Sequence, residues 1–176
     1  VLLHGATPGT FLPPVDCITG EDPVAVKVAD MDKDGHPDIL TANYSNGTGG
    51  LSILRQDPAN PGTFLAAVTL DTGDFASASV AIGDVNGDGW PDVVVANAGL
   101  PGYAGTVAVF QQDSAHPGTL FAPDLYLGYY GPVAVAIADL KGDSHPALVV
   151  ADGGPAIRWP DPDNPGMFQP PAWLKQ

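Results

Sequence analysis

"DMDKDGHPD" occupies residues 30–38, and a second copy, "DVNGDGWPD", occupies 84–92. A third, "DLKGDSHPA" at 139–147, keeps the first and fifth acids but has Lys141, Ser144 and Ala147 at the third, sixth and ninth places. Carboxylates this close repel one another unless a cation sits among them. In the pattern D-x-D/N-x-D-G-x-x-D, side chains one, three, five and nine can converge on one point. The glycine at six permits a sharp turn, and residue seven can offer its carbonyl. Six to eight hard oxygens in a flexible loop suit Ca²⁺ better than Mg²⁺, which demands a tight octahedron. The first loop then supplies Asp30, Asp32, Asp34, Asp38 and the His36 carbonyl. The second supplies Asp84, Asn86, Asp88, Asp92 and the Trp90 carbonyl. One copy alone reads equally as an Asp-Gly hairpin turn. Two copies at equivalent places of a repeat favour the metal.

The repeat extends beyond the loops. Asp30 to Asp84 is 54 residues and Asp84 to Asp139 is 55. An apolar alternating run precedes each loop: "VAVKVAD" (24–30), "SVAIGD" (79–84), "VAVAIAD" (133–139). A β-rich run follows: "DILTAN" (38–43), "DVVVAN" (92–97), "ALVVAD" (147–152). Third candidates are "LSILRQ" (51–56), "TVAVFQQ" (106–112) and "AIRWP" (156–160). A Pro-Gly turn then leads to a fourth, within 60–70, 116–127 and 164–174. No stretch has the period or caps of a helix. Four short strands per unit of about 40–50 residues are the signature of propeller blades. The expected fold is all-β, with blades of four antiparallel strands. Residues 1–20 read as the third and fourth strands of a preceding blade, followed by full blades over 21–74, 75–128 and 129–176. Closed propellers need about four to eight blades. Half a blade plus three is therefore read as part of a larger propeller, or as one completed by self-association through its open flanks.

Composition narrows the function. Six Lys+Arg stand against 20 Asp+Glu, a formal charge of −14. Nucleic acid needs a cationic face, so it is excluded as a partner, and no apolar run is long enough for membrane insertion. Of the acids only Glu21 is glutamate; aspartate is the shorter acid that favours turns and metal loops. Cys17 is the sole cysteine, which rules out an intrachain disulfide and reads as a buried strand thiol in "PVDCIT". An EF-hand is disfavoured because its twelfth, bidentate position is Thr41 or Val95, and because the flanks are strand-like.

The loops, their flanks and the blade period together resemble the FG-GAP/VCBS-type repeats of bacterial surface proteins and of integrin α-subunit propellers. That resemblance covers nearly the whole chain. It implies a β-propeller with calcium held in the hairpin between a blade's first two strands, on the ligand positions named above. Phe-Gly and Gly-Ala-Pro signatures are not evident, so the VCBS-like branch fits better. In the third loop Lys141 is read either as replacing the cation between Asp139 and Asp143 or as pointing to water. Two calcium sites are expected, with the third loop empty. The intact loops use all their acids on one ion and leave no neighbouring base or nucleophile, so no enzymatic activity is assigned. The function expected is an extracellular or cell-surface, calcium-binding module for scaffolding, adhesion or protein interaction. A carbohydrate-binding module, a non-catalytic part of a secreted polysaccharide-active enzyme, and a self-assembling surface or filament subunit are the alternatives. Loop aromatics such as Tyr103, Tyr130 and Trp173 suit sugar or protein ligands, although packing between blades is the commoner use of such residues. "NYS" (43–45) and "NGT" (46–48) are glycosylation sequons at Asn43 and Asn46.

Overall fold

The computed structural model describes residues 1–44, 50–100 and 102–173. These residues form twelve strands and no helix, arranged as three four-stranded antiparallel sheets. The first contains β1 (Pro23–Ala29), β2 (Asp38–Asn43), β3 (Gly50–Leu54) and β4 (Val68–Asp71). The second contains β5 (Ser77–Gly83), β6 (Asp92–Asn97), β7 (Gly105–Phe110) and β8 (Asp124–Tyr129). The third contains β9 (Ala134–Ala138), β10 (Ala147–Ala151), β11 (Pro155–Arg158) and β12 (Ala172–Trp173). Each sheet is a meander in chain order, as in a propeller blade, and the array does not close into a barrel. The first strands of successive blades touch, β1 on β5 and β5 on β9.

Alternation along the middle blade divides two cores. Val93 pairs with Phe110 and Val95 with Ala108. All four pack with Leu40, Ala42, Leu51 and Ile53 of the first blade. The residues between them, Val94, Ala96, Val107 and Val109, point the other way, onto Val135, Leu148, Val150 and Ala156 of the third. A strand covered on both faces has no polar side to show. This is why β6 reads "DVVVAN", an apolar run without alternation, and is buried throughout. One face of β1 is uncovered among the described residues, where Val24, Val26 and Val28 stand 55%, 61% and 64% exposed.

The third blade is pinned by a residue with no counterpart in the others. Arg158 takes the place of Leu54 and Phe110, yet it is buried. Its Nε donates to the Tyr129 hydroxyl at 2.6 Å, Nη1 to the Gln169 carbonyl at 2.9 Å and Nη2 to the Leu127 carbonyl at 2.6 Å. The Tyr126 and Tyr129 rings lie 5.0 and 5.1 Å from its guanidinium carbon. Aromatic faces and carbonyls thus compensate a desolvated cation without a carboxylate. Tyr126 and Tyr129 are therefore packing residues, whereas Tyr103 and Tyr130 are exposed.

Several local expectations change. Residues 1–19 do not form two strands. They keep one bridge, His4 with Phe11, and the flanking bond from Leu12 N–H to the Leu3 carbonyl. Pro13 and Pro14 follow at once, and their missing N–H groups interrupt the ladder; beyond them Val1 and Val15 exchange both backbone bonds, at 2.7 and 2.9 Å. Cys17 lies in this irregular segment and is half-buried, not a strand thiol. The fourth strands start later than the Pro-Gly turns. A single bridge follows each turn (Gln56 with Phe64, Gln112 with Leu120, Pro160 with Phe168), and pairing resumes only at Val68, Asp124 and Ala172. Asn43 is buried at the end of β2. Its amide donates to Ser52 Oγ at 2.9 Å and its oxygen accepts from Thr41 Oγ1 at 3.0 Å, so it offers no free amide to a sugar. Asn46 lies outside the described residues.

Phe110, 1% exposed between two blades, tests the shared core. Phe110→Ala should cost about 3–5 kcal/mol, read as a lowered urea midpoint. Tyr103→Ala, at an exposed tip, should leave the midpoint within about 0.5 kcal/mol.

Candidate metal centre

The first loop joins β1 to β2. Its residues four and six, Lys33 and Gly35, both have positive φ, at 58° and 88°. Gly87 and Gly89 repeat this at 80° and 86°, and Gly142 and Ser144 at 71° and 64°. All three loops therefore share one backbone course, although the third has a serine where the left-handed region favours glycine. In that course the side chain at position one faces the backbone of the turn. Asp30 accepts from Asp34 N–H at 3.1 Å and Gly35 N–H at 2.9 Å. Asp34 Oδ1 accepts from His36 N–H at 2.7 Å. Asp84 accepts from Gly87 and Gly89 N–H at 2.7 and 2.8 Å, and Asp88 from Trp90 N–H at 2.8 Å.

This course gathers Asp30, Asp32 and Asp34, each offering a carboxylate oxygen within 4.8 Å of the other two. Oxygens at about 2.3–2.6 Å from a calcium ion lie at most about 5 Å apart. The three carboxylates therefore fit one hard cation. The second loop places Asp84, Asn86 and Asp88 on the same turn, with Asn86 Oδ1 accepting from Asp88 N–H at 3.0 Å. His36 and Trp90 are half-buried. Trp90 has a neighbour from the other loop: Lys33 Nζ sits 4.5 Å from its ring centre and donates to the Gly89 carbonyl at 2.6 Å.

The ninth residues behave differently from the first, third and fifth. Asp38 is buried at the start of β2 and outside the three-carboxylate cluster. Its Oδ2 accepts from Met31 N–H at 3.1 Å and its Oδ1 from Gln56 N–H at 2.9 Å. Asp92 does the same, with Val85 N–H at 2.9 Å and Gln112 N–H at 2.8 Å. Each clips the mouth of its loop to the end of the blade's third strand. Burial drives both carboxyls upward against these bonds, and Asp92 reaches about 6. The third blade has lost the whole clip together. Ala147 replaces the acceptor, and Pro160, which has no N–H, replaces the donor of Gln56 and Gln112. This paired change was readable in the sequence, had the ninth acid been considered as a strand residue as well as a ligand.

In the third loop Asp139 still organises the turn, accepting from Lys141, Gly142, Asp143 and Ser144 N–H at 2.7–3.2 Å. These bonds, led by that from Ser144, hold its carboxyl below the ordinary range. Lys141 is exposed and does not sit between Asp139 and Asp143 as an ion pair. Its Nζ lies 4.4 Å above the Trp159 ring, and among the described residues it makes no ion pair. The aromatic face attracts the ammonium, while the Asp139 carboxylate is engaged by four N–H groups.

With this geometry in place, the comparison with known families is direct. Residues 30–95 and 84–150 match the FG-GAP-like repeat, each match opening on the first aspartate of an intact loop. Together they cover more than half of the chain, which belongs to that repeat family. No curated protein matches the chain.

The buried carboxyls set a pH dependence in calcium-free buffer. Asp92 binds its proton at about pH 6 when folded and only near about 3.9 when unfolded. Between these values the folded state holds more protons, so stability falls as pH rises through the window. Asp38 contributes with the same sign. Urea midpoints of the wild type should be higher at pH 5 than at pH 7, and Asp92→Asn should shrink that difference.

Proposed function

We propose that this chain is a calcium-stabilised, non-catalytic interaction module of an extracellular or cell-surface protein. The observation that carries this reading is the convergence of the Asp30, Asp32 and Asp34 carboxylates on one locus. Asp84, Asn86 and Asp88, on a turn of the same course, hold the second ion. Asp38 and Asp92 have lone pairs beyond those used by the backbone, and with the His36 and Trp90 carbonyls they complete the two ligand sets. The third loop, with Lys141 over Trp159 and Ala147 at its ninth place, takes none.

The ion's role is structural. Bound calcium screens the acids of each loop from one another and holds the turn that joins a blade's first two strands. A ligand that binds only the folded state stabilises it by about 4 kcal/mol at a thousandfold excess over Kd. Calcium outside cells is abundant enough to fill weak sites of this type. The blades then serve as a rigid frame for contact with another protein.

Isothermal titration should count two calcium ions per chain, one in Asp30→Asn, and two in Asp139→Asn. Calcium should raise the Tm of the wild type and raise it less in Asp30→Asn. A titration without heat together with a Tm indifferent to chelator would refute structural calcium.

A further inference from the structure

Each boundary between blades repeats one contact outside the strands. The second loop residue of a blade, Met31 or Val85, is buried in the core it shares with the next blade. The residue just past that blade's Pro-Gly turn, Leu120 or Phe168 respectively, packs on the same core. Beside this apolar pair, the turn glycine lies flat on the third loop residue and on the residue after the third strand. A Cβ built on Gly118 would lie 3.2 Å from Asp32 Cβ and 3.1 Å from Arg55 Nη1. One built on Gly166 would lie 3.0 Å from Asn86 Cβ and 2.5 Å from Gln111 Nε2. The seats are themselves paired, Asp32 with Arg55 at 3.6 Å and Asn86 with Gln111 at 3.3 Å.

The third blade carries the same seat in exposed form. Leu140, the counterpart of Met31 and Val85, is 49% exposed. Lys141 and Trp159, stacked at 4.4 Å, occupy the places of the Asp32–Arg55 and Asn86–Gln111 pairs. The matching half lies near the other end of the chain. Gly9, in "TPGTF", has φ +79°, and a Cβ built there would meet nothing within 4 Å. Phe11, the counterpart of Leu120 and Phe168, is 63% exposed.

One chain therefore bears both halves of a contact that it makes twice internally. We infer that a second copy of the chain joins them: Phe11 and the Gly9 turn of one copy dock head to tail on Leu140, Lys141 and Trp159 of another. Phe11 covers Leu140, and the bare Cα of Gly9 rests on the Lys141–Trp159 stack. Charge permits this approach where it opposes others. The chain is strongly acidic, yet residues 1–15 contain no acid and the seat presents a lysine. The contact is heterologous, so it propagates into a ring or a filament rather than stopping at a symmetric dimer. It does not depend on the calcium reading.

Sedimentation velocity from micromolar to millimolar protein tests it. The mass of the wild type should rise with concentration. Phe11→Glu spoils only the head and Leu140→Glu only the tail; both positions are exposed, and circular dichroism checks that each variant folds. Each variant alone should stay monomeric. Their equimolar mixture should form a one-to-one dimer and go no further, since one intact head then meets one intact tail. Phe11→Ser and Trp159→Ser form a second pair if a glutamate unfolds either variant. A wild type that stays monomeric across the range overturns the inference. So do variants that associate like the wild type, through the exposed β1 face for example, and so does a mixture that yields no dimer.

Discussion

The carboxylate at the ninth loop position is the constraint on which the rest of a blade depends. Asp38 and Asp92 are buried and have both oxygens bonded to backbone N–H groups. One bond holds the second residue of the loop, so that Met31 or Val85 enters the core between blades. The other holds the end of the third strand, from which the Pro-Gly turn departs. A single side chain thereby sets the loop that gathers the other acids and the turn that meets the neighbouring blade. Removing one partner of such a bond leaves a buried donor unsatisfied, at about 1–3 kcal/mol each. The third blade avoids that cost by losing acceptor and donor together, as Ala147 and Pro160.

Loss of the clip goes with other changes on the same blade. Its third strand carries buried Arg158 in place of Phe110 or Leu54, held by tyrosines and carbonyls of the second blade. Its loop keeps the turn, because Asp139 alone can accept from four N–H groups, while Lys141 and Ala147 stand where the other loops have Asp32 or Asn86 and Asp38 or Asp92. The third blade is thus fastened to the array through packing and one buried cation. The first two pack on each other through the core around Phe110, and within each the clip closes the loop on which the acids lie.

Much of this was legible in the sequence. Fifty-odd-residue spacing, alternating runs and Asp-rich turns are local signals, and they led directly to an all-β array of four-stranded blades and to the FG-GAP-like resemblance. The acids of the first loop were named as a candidate metal set from spacing alone. Where the reading failed, the deciding partner was distant in sequence. Lys141 turns to Trp159, a contact invisible from the loop. Asn43 looks like an acceptor for sugar until β3 buries it against Ser52. Residues 1–19 are the exception, a local one: Pro13 and Pro14 interrupt their pairing between the Leu3–Leu12 and Val1–Val15 bonds.

The sequence by itself determined the four strands of each full blade, the course of the loops and the pairing order, because periodicity, glycine at positive-φ positions and short turns act within a few residues of each other. Tertiary structure alone decided which acids gather and which one clips. It also decided which face of each strand meets which neighbour, and which contact surfaces stay exposed. Burial and the placement of one blade against the next are sums over residues fifty or more apart. The backbone clip made by the ninth carboxylate follows from that placement, since its partners lie on the loop and beyond the third strand.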